Sequence, residues 1–207
     1  DLVPSEQALV RQFGVSRMTV NRAVRELTAE QVLVRRQGAG TFVAPHKIQA
    51  NLVDIRSIAD EIRERGHRHA CRVHMLEAAD ATGVLAAQFD VAPGAPLFHS
   101  LIVHFENDVP IQVEDRWVNP ASAPAYLQQD FSRMTPNEHL VAVAPLQDAS
   151  FSIEALTPPG EIAAMLDLAA HQACLVLRRR TRSRGRVASA VTMWHPGHLY
   201  QFTGSVG

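Results

Sequence analysis

The sequence predicts an α+β protein in two parts: a short helical unit closed by a small hairpin, followed by a longer unit in which helices pack on an antiparallel sheet. Three observations lead there. Two capped helical stretches flank Gly14-Val15-Ser16. The charge changes sign near residue 47, with seven Lys/Arg against four Asp/Glu before that point and a net −1 for the whole chain. A helix-plus-hairpin pattern then occurs twice, from Leu85 and from Ile162.

In chain order, Pro4-Ser5-Glu6 reads as a helix start, because Ser5 can cap exposed backbone donors and Glu6 suits the positive end of the helix. Leu9 and Phe13, four apart, are expected on one buried face, and Gly14 supplies a stop. Ser16 caps a second helix with Val20, Ala23, Val24 and Leu27 as its apolar stripe and Arg17, Met18, Asn21, Arg22 and Arg25 opposite. Two short helices across so tight a connection match a helix-turn-helix, whose second helix enters the DNA major groove with its N-terminal residues at base edges. Val32–Arg36 and Thr41–Val43 are strand-like around Gln37-Gly38-Ala39-Gly40, a glycine-rich hairpin that would set Arg35 and Arg36 beside phosphates. The blander reading is a helical unit with solvated arginines, and the ordered combination of features favours DNA. The GxG in the hairpin is not a phosphate loop, since it has no P-loop lysine and no following helix.

Residues 1–46 are therefore expected to form the DNA-binding domain, 47–54 a linker, and 55–207 a second domain. Ile55, Ile58, Ala59 and Ile62 mark an amphipathic helix ending at Gly66. Each copy of the repeat then runs helix, Asp (Asp90 or Asp167), strand, tight turn (Asn107-Asp108 or Arg184-Gly185) and return strand. Strand alternation puts His104, Glu114, Arg179 and Ser189 on one face among apolar neighbours, the composition of a small-molecule site; a solvated sheet face fits the alternation equally well.

Composition narrows the class. No apolar run approaches the ~20 residues a membrane span needs. DLVPSEQ lacks the features of a secretion signal. Two cysteines make no disulfide framework, so a cytoplasmic protein is expected. There is no nucleophile elbow, HExxH or persuasive carboxylate pair, so no catalytic residues are expected. Ten histidines include His67, His69, His74, His195 and His198, but without CxxC or HExxH they read as surface or pocket residues, with no metal site and no cofactor.

PSEQALVRQFGVSRMTVNRAVRELTAEQVLVRRQGAGTFV resembles the winged-helix domain of the GntR family of bacterial regulators. That family ordinarily has a further helix before this segment, so the chain is expected to lack it, and Gln31 stands where glycine is usual. The resemblance implies that Arg17 and Thr19 read bases and phosphates, that Arg11 and Ser16 lie near the backbone, and that Gln37 and Gly38 form the wing tip in the minor groove. Arg22, Arg35 and Arg36 complete the expected DNA-binding set. Residues 66–203 resemble the UTRA effector domain, which shares a chorismate-lyase-like fold, through PIQVED, LVLRRRT and LYQFTG.

LFHSLIVHFENDVPIQVEDRWVNP, MTPNEHL, VAPLQ and HPGHLYQFTG further resemble the branch of this subfamily that governs histidine utilisation, which implies urocanate as effector. Where sugar-phosphate-sensing relatives use phosphate-binding arginines, this chain has Ile102 and His104. The expected effector set is His104, Glu114, Asn137, Arg179, Ser189 and Tyr200, with Arg179 on the carboxylate, Glu114 on an imidazole N–H and Tyr200 over the ring. The expectation is thus a repressor that binds a near-palindromic double-stranded operator as a homodimer and is released by urocanate. Another small carboxylate or a sugar derivative is the alternative effector, and a chorismate-lyase-like enzyme the more distant one.

Overall fold

The computed structural model describes residues 2–29, 32–36, 40–43, 48–51, 56–169 and 171–203, and divides the chain into two compact units at Lys47/Ile48. In the first unit, α1 (Glu6–Phe13) is capped by Ser5, whose Oγ accepts from the Ala8 N–H at 3.3 Å. It ends at Gly14, whose φ of 64° lets its N–H return to the Val10 carbonyl. Helix α2 (Arg17–Ala29) starts at Ser16, which accepts from the Thr19 N–H at 3.1 Å. Strands β1 (Leu33–Arg36) and β2 (Gly40–Val43) pair antiparallel as the predicted hairpin.

The core of this unit is small: Val20, Val24 and Leu33, with Val3, Leu9 and Val10 packed against them. Phe13 was expected to be buried with Leu9 but is 64% exposed, and Ala23 and Leu27 are exposed rather than part of the buried stripe. No described element of the unit covers them, so helical spacing alone overstates the burial. Gln31, Gln37 and Gly38 lie outside the described residues.

The second unit is built on a six-stranded antiparallel sheet in the order β4-β5-β6-β9-β8-β7. Its strands are β4 (His69–Asp80), β5 (Pro96–Glu106), β6 (Val109–Val118), β7 (Asp148–Leu156), β8 (Cys174–Ser183) and β9 (Arg186–Pro196). The internal repeat shows in this order. Each copy contributes a strand, a short helix and a hairpin, and the return strands β6 and β9 of the two copies meet at the centre. The turns are those the residue types demand. Asn107 and Asp108 have φ of 47° and 70°, and Arg184 and Gly185 have φ of 50° and 74°, so both central positions are left-handed, as a two-residue hairpin twisted like its strands requires. Asp90 and Asp167, equivalent in the repeat, both sit at positive φ just after their helices.

Helices α4 (Gly83–Phe89) and α6 (Gly160–Met165) cover one face of the sheet, burying Ala86 and Phe89 against Leu97, and Ile162 and Leu166 against Val103 and Val176. The opposite face carries Tyr126 from a 3-10 turn (Tyr126–Gln128), Leu140 from α5 (Pro136–Val143) and Phe131 from the segment between them, over Ile102 and Val118. Helix α3 (Ile58–Glu64), predicted from its isoleucine spacing, is joined to α5 by a 3.0 Å contact between the Ser57 and Thr135 hydroxyls.

The expected linker needs correction. Its residues 48–51 form strand β3 (Ile48–Asn51), which pairs in parallel with β10 (Tyr200–Thr203). Tyr200 is the register partner of Ile48, and Ile48 packs on Ile58, Ile62 and Ile111. The physical reason is that four residues gain a complete ladder from a partner distant in sequence, a pairing with no local signal.

Candidate functional site

In the first unit, the face of α2 that carries Arg17, Met18, Asn21, Arg22 and Arg25 lines an open groove with Glu6 and Glu26. Arg17, at the first helical position, has a side chain 76% exposed. Glu6 organises its neighbours. Its Oε1 accepts from Asn21 Nδ2 at 3.2 Å and from Arg35 Nη2 at 3.1 Å, and its Oε2 lies 3.8 Å from Arg17 Nε. One carboxylate thus gathers the start of α2 and the first hairpin strand. Arg22 pairs with Glu26 at 2.7 Å, one turn away. Ser16 and Thr19 are tied to each other by a 2.9 Å hydroxyl contact at the helix start, and Arg11 is exposed in the last turn of α1. Of the other expected contacts, the Arg36 side chain, Gln37 and Gly38 are outside the described residues.

The second unit contains a cavity of about 50 Å³ on the face of the sheet opposite α4 and α6. Strand β6 supplies Gln112, Glu114 and Arg116; β8 supplies Arg179; β9 supplies Met193 and His195; β10 supplies Tyr200 and Phe202. Glu61 of α3 and Asn137 of α5 close it. Alternation along β6 explains why these three polar side chains, each two residues from the next, converge.

Four of the six expected effector residues, Glu114, Asn137, Arg179 and Tyr200, line this cavity. The other two are on the same face but do not line it. His104 is fully buried, stacked on His69 at 5.3 Å, with its Nδ1 3.1 Å from His69 Nε2 and its Nε2 3.7 Å from Glu114 Oε2. Ser189 accepts from Arg116 Nη1 at 3.2 Å and contacts the Thr181 hydroxyl. Alternation assigns a face, not a depth, so both residues support the lining rather than form it. Arg116, Gln112, Glu61 and His195 are outside the expected effector set. Arg116 and Gln112 were reachable from the sequence, since each lies two residues from Glu114 on the same strand face.

The electrostatics are unusual for a buried site. Arg116 is 1% exposed and donates from Nε to Glu114 Oε1 at 2.8 Å. Burial raises the Glu114 carboxyl, but the Arg116 guanidinium and His104 outweigh it and hold the group well below the usual carboxylate range. Arg179 has no such partner. It is 9% exposed, donates from Nη2 to Asn137 Oδ1 at 3.2 Å, and has no carboxylate within ion-pair distance among the described residues. Burial, with Arg116 nearby, pulls its pKa down to about 10. Among the described residues, three buried polar atoms of the lining also have no hydrogen-bond partner: Arg179 Nε, Arg116 Nη2 and Gln112 Oε1.

An aromatic wall completes the cavity. His195 and Tyr200 approach at 4.2 Å between ring centroids, and Phe202 lies edge-on to His195 at 5.3 Å. The Tyr200 hydroxyl donates to Glu61 Oε2 at 3.3 Å. Between Arg178 and Arg180, only Arg179 is buried; Arg178 pairs with Glu154 at the surface. Among the described residues, no group of three or more His, Cys, Asp or Glu is placed to hold a metal ion, and no helix is long and apolar enough to cross a membrane.

Comparison with known proteins fits this two-unit arrangement. The family described as "Bacterial regulatory proteins, gntR family" matches residues 1–43, and the UTRA domain matches residues 64–201. The chain belongs to the GntR family of regulators that carry a UTRA domain. It is a transcription regulator and not an enzyme. It is 48% identical over 207 residues to the histidine utilization repressor of Klebsiella aerogenes, covering 100% of this chain and 86% of that one. To the histidine utilization repressor of Pseudomonas aeruginosa it is 50% identical over 203 residues, covering 98% and 81%.

Among solved structures, the C-terminal domain of the histidine utilization repressor from Pseudomonas syringae pv. tomato aligns with a TM-score of 0.65 at 41% identity, covering 68% of this chain and 99% of that one. PhnF from Mycobacterium smegmatis aligns with a TM-score of 0.77 at 23% identity over 100% of this chain and 92% of that one, which speaks to the fold alone. The expected α+β architecture of winged helix and UTRA sheet holds.

Proposed function

We propose that this GntR-family regulator represses histidine-utilisation genes as a homodimer on a near-palindromic operator, and that urocanate binding to the second unit releases it. The relatives' names support the target genes. The observation that carries the effector class is Arg179: a buried guanidinium in a cavity, without a carboxylate partner among the described residues. Leaving a charge buried and unpaired costs several kcal/mol, and an anionic ligand relieves that cost. The His195-Tyr200-Phe202 wall suits a planar ring beside the acid. In this reading Arg179, Asn137, Glu114 and Tyr200 bind the effector, His104 and Ser189 support them, and Arg11, Ser16, Arg17, Thr19, Arg22, Arg35, Arg36, Gln37 and Gly38 face DNA.

Release requires that urocanate bind the DNA-incompetent arrangement better than the DNA-bound one. The described cavity, at about 50 Å³, is much smaller than typical ligand pockets of ~300–1,000 Å³, so entry must part its walls. The wall strand β10 is hydrogen-bonded along its length to β3, the first strand after the DNA-binding unit. Displacement of Tyr200 therefore bears directly on the segment that leads to the winged helix. A coupling of ~1–3 kcal/mol would lower operator affinity roughly 5- to 150-fold. Titrating urocanate into a preformed protein–operator complex tests the reading: release is expected. No release, with calorimetry showing no binding, would overturn the effector and leave the regulator standing.

A further inference from the structure

We propose that Gln112 and Arg116 set the specificity of the effector site: Arg116 Nη2 shares the ligand carboxylate with Arg179 Nε, and the Gln112 side-chain carbonyl accepts the ligand's ring N–H. This rests on the cavity being the effector site, and it assigns roles to two residues outside the expected effector set.

The register supplies the geometry. Arg116 pairs with Val191 across β6–β9, and Val191 pairs with Arg179 across β9–β8. The two arginines thus stand in one cross-strand row on either side of Val191, on the same face, with backbones about 10 Å apart at ~4.8 Å per strand. That separation is within reach of two long side chains converging on one carboxylate. Arg116 is fixed in advance, because Nε is committed to Glu114 and Nη1 to Ser189, which leaves Nη2 as the donor without a partner. Arg179 is fixed in the same way through Nη2 and Asn137, leaving Nε. Two guanidinium groups, each with a buried nitrogen left without a hydrogen-bond partner among the described residues, suit an acceptor with two oxygens.

A residue farther along β6 selects the rest of the ligand. Gln112 is 3% exposed, and its Oε1 is buried without a partner. Glu114, the acceptor expected from the sequence, is engaged with Arg116 and close to His104. Gln112 lies four residues along β6 from Arg116, a backbone separation of about 14 Å at ~3.4 Å per residue, so an acceptor and two donors line the same cavity from well-separated positions. The chemical class is therefore a short planar acid with a carboxylate at one end and a ring N–H at the other. An acid whose ring lacks the N–H leaves the Gln112 oxygen unsatisfied, the kind of mismatch that a site built to hydrogen-bond rejects most strongly.

The test is calorimetry on the full chain with urocanate, its 2-furyl analogue (ring oxygen, no N–H) and its amide (no carboxylate). Wild type is expected to prefer urocanate at least tenfold over both. Gln112→Leu should reduce the preference over the furan to within about twofold while keeping the preference over the amide. Because Arg116→Gln alone would strand the Glu114 charge, the paired Glu114→Gln/Arg116→Gln variant removes one charge of each sign and leaves Arg179 as the single carboxylate donor; its preference for acid over amide should fall at least fivefold while its melting temperature is kept. If Gln112→Leu does not fold, the furan comparison on wild type alone still decides: equal binding overturns the role of Gln112. Unchanged preferences in both variants overturn this proposal while leaving urocanate as effector. Wild type that binds none of the three overturns the effector assignment and this proposal with it.

Discussion

Glu6 and Arg35, 29 positions apart, are joined at 3.1 Å, and the same carboxylate stands 3.8 Å from Arg17. A hairpin arginine and the leading residue of α2 therefore share one acidic anchor. In the proposed complex the two arginines have different tasks. Arg17→Ala should weaken operator binding and relax discrimination at one base position per half-site, by about 1–3 kcal/mol. Arg35→Ala should weaken all sequences evenly and reduce the salt slope by about one. Gel shifts against operator and scrambled DNA at several salt concentrations separate them; an unchanged operator shift with Arg17→Ala would reassign the reading helix.

Arg179→Met should abolish the urocanate response and leave ligand-free repression intact. It should also raise the melting temperature or leave it level, because an apolar side chain of similar length replaces a buried cation that no carboxylate neutralises. Equal release by urocanate in mutant and wild type would remove Arg179 from the site.

Acid should loosen the second unit. Burial holds the His195 imidazole down to a pKa of about 4, against an ordinary value near 6.5. The unfolded chain therefore takes up the proton first as pH falls. The stability from this group is fully present above about pH 6.5, declines below that, and is lost at about pH 4, a total of about 3 kcal/mol. His69, half-buried and also held to about 4 by burial and by His104, acts in the same direction. Urea midpoints between pH 7 and 4.5 should fall less steeply in His195→Gln; an identical slope would mean that His195 takes up its proton in the folded protein.

One helix-turn-helix reads a short half-site, so useful affinity calls for two on a near-palindrome. Light scattering at micromolar concentration should give twice the chain mass, and the protein should protect two half-sites about one helical turn apart, ~34–36 Å centre to centre. A monomer under those conditions would count against the proposed assembly.

Much of this architecture was legible where the controlling chemistry is local. Gly14, Asn107-Asp108 and Arg184-Gly185 announce left-handed turns through their own residue types, and the repeat around them leads to the paired hairpins of the sheet. Strand β3 was not legible, because its partner β10 lies at the far end of the unit. Phe13 was misread since spacing marks an apolar face without showing what covers it. In the cavity, alternation found Glu114 and Arg179 but not which same-face residues are deepest: His104 sits behind the lining, and Arg116, two residues beyond Glu114, is in it.

The β3–β10 ladder also orders events in time. Synthesis runs from β3 to β10 across about 150 residues, roughly 8–30 s at ordinary elongation rates. The first unit has its helices, hairpin and small core within residues 2–43, so it can close while β3 still waits for its partner. Tyr200, which walls the cavity, arrives only with that last strand. A nascent chain thus passes through an interval in which the core of the first unit can close while the second is unfinished, and the strand that walls the cavity is also the one that pairs the second unit's own first strand.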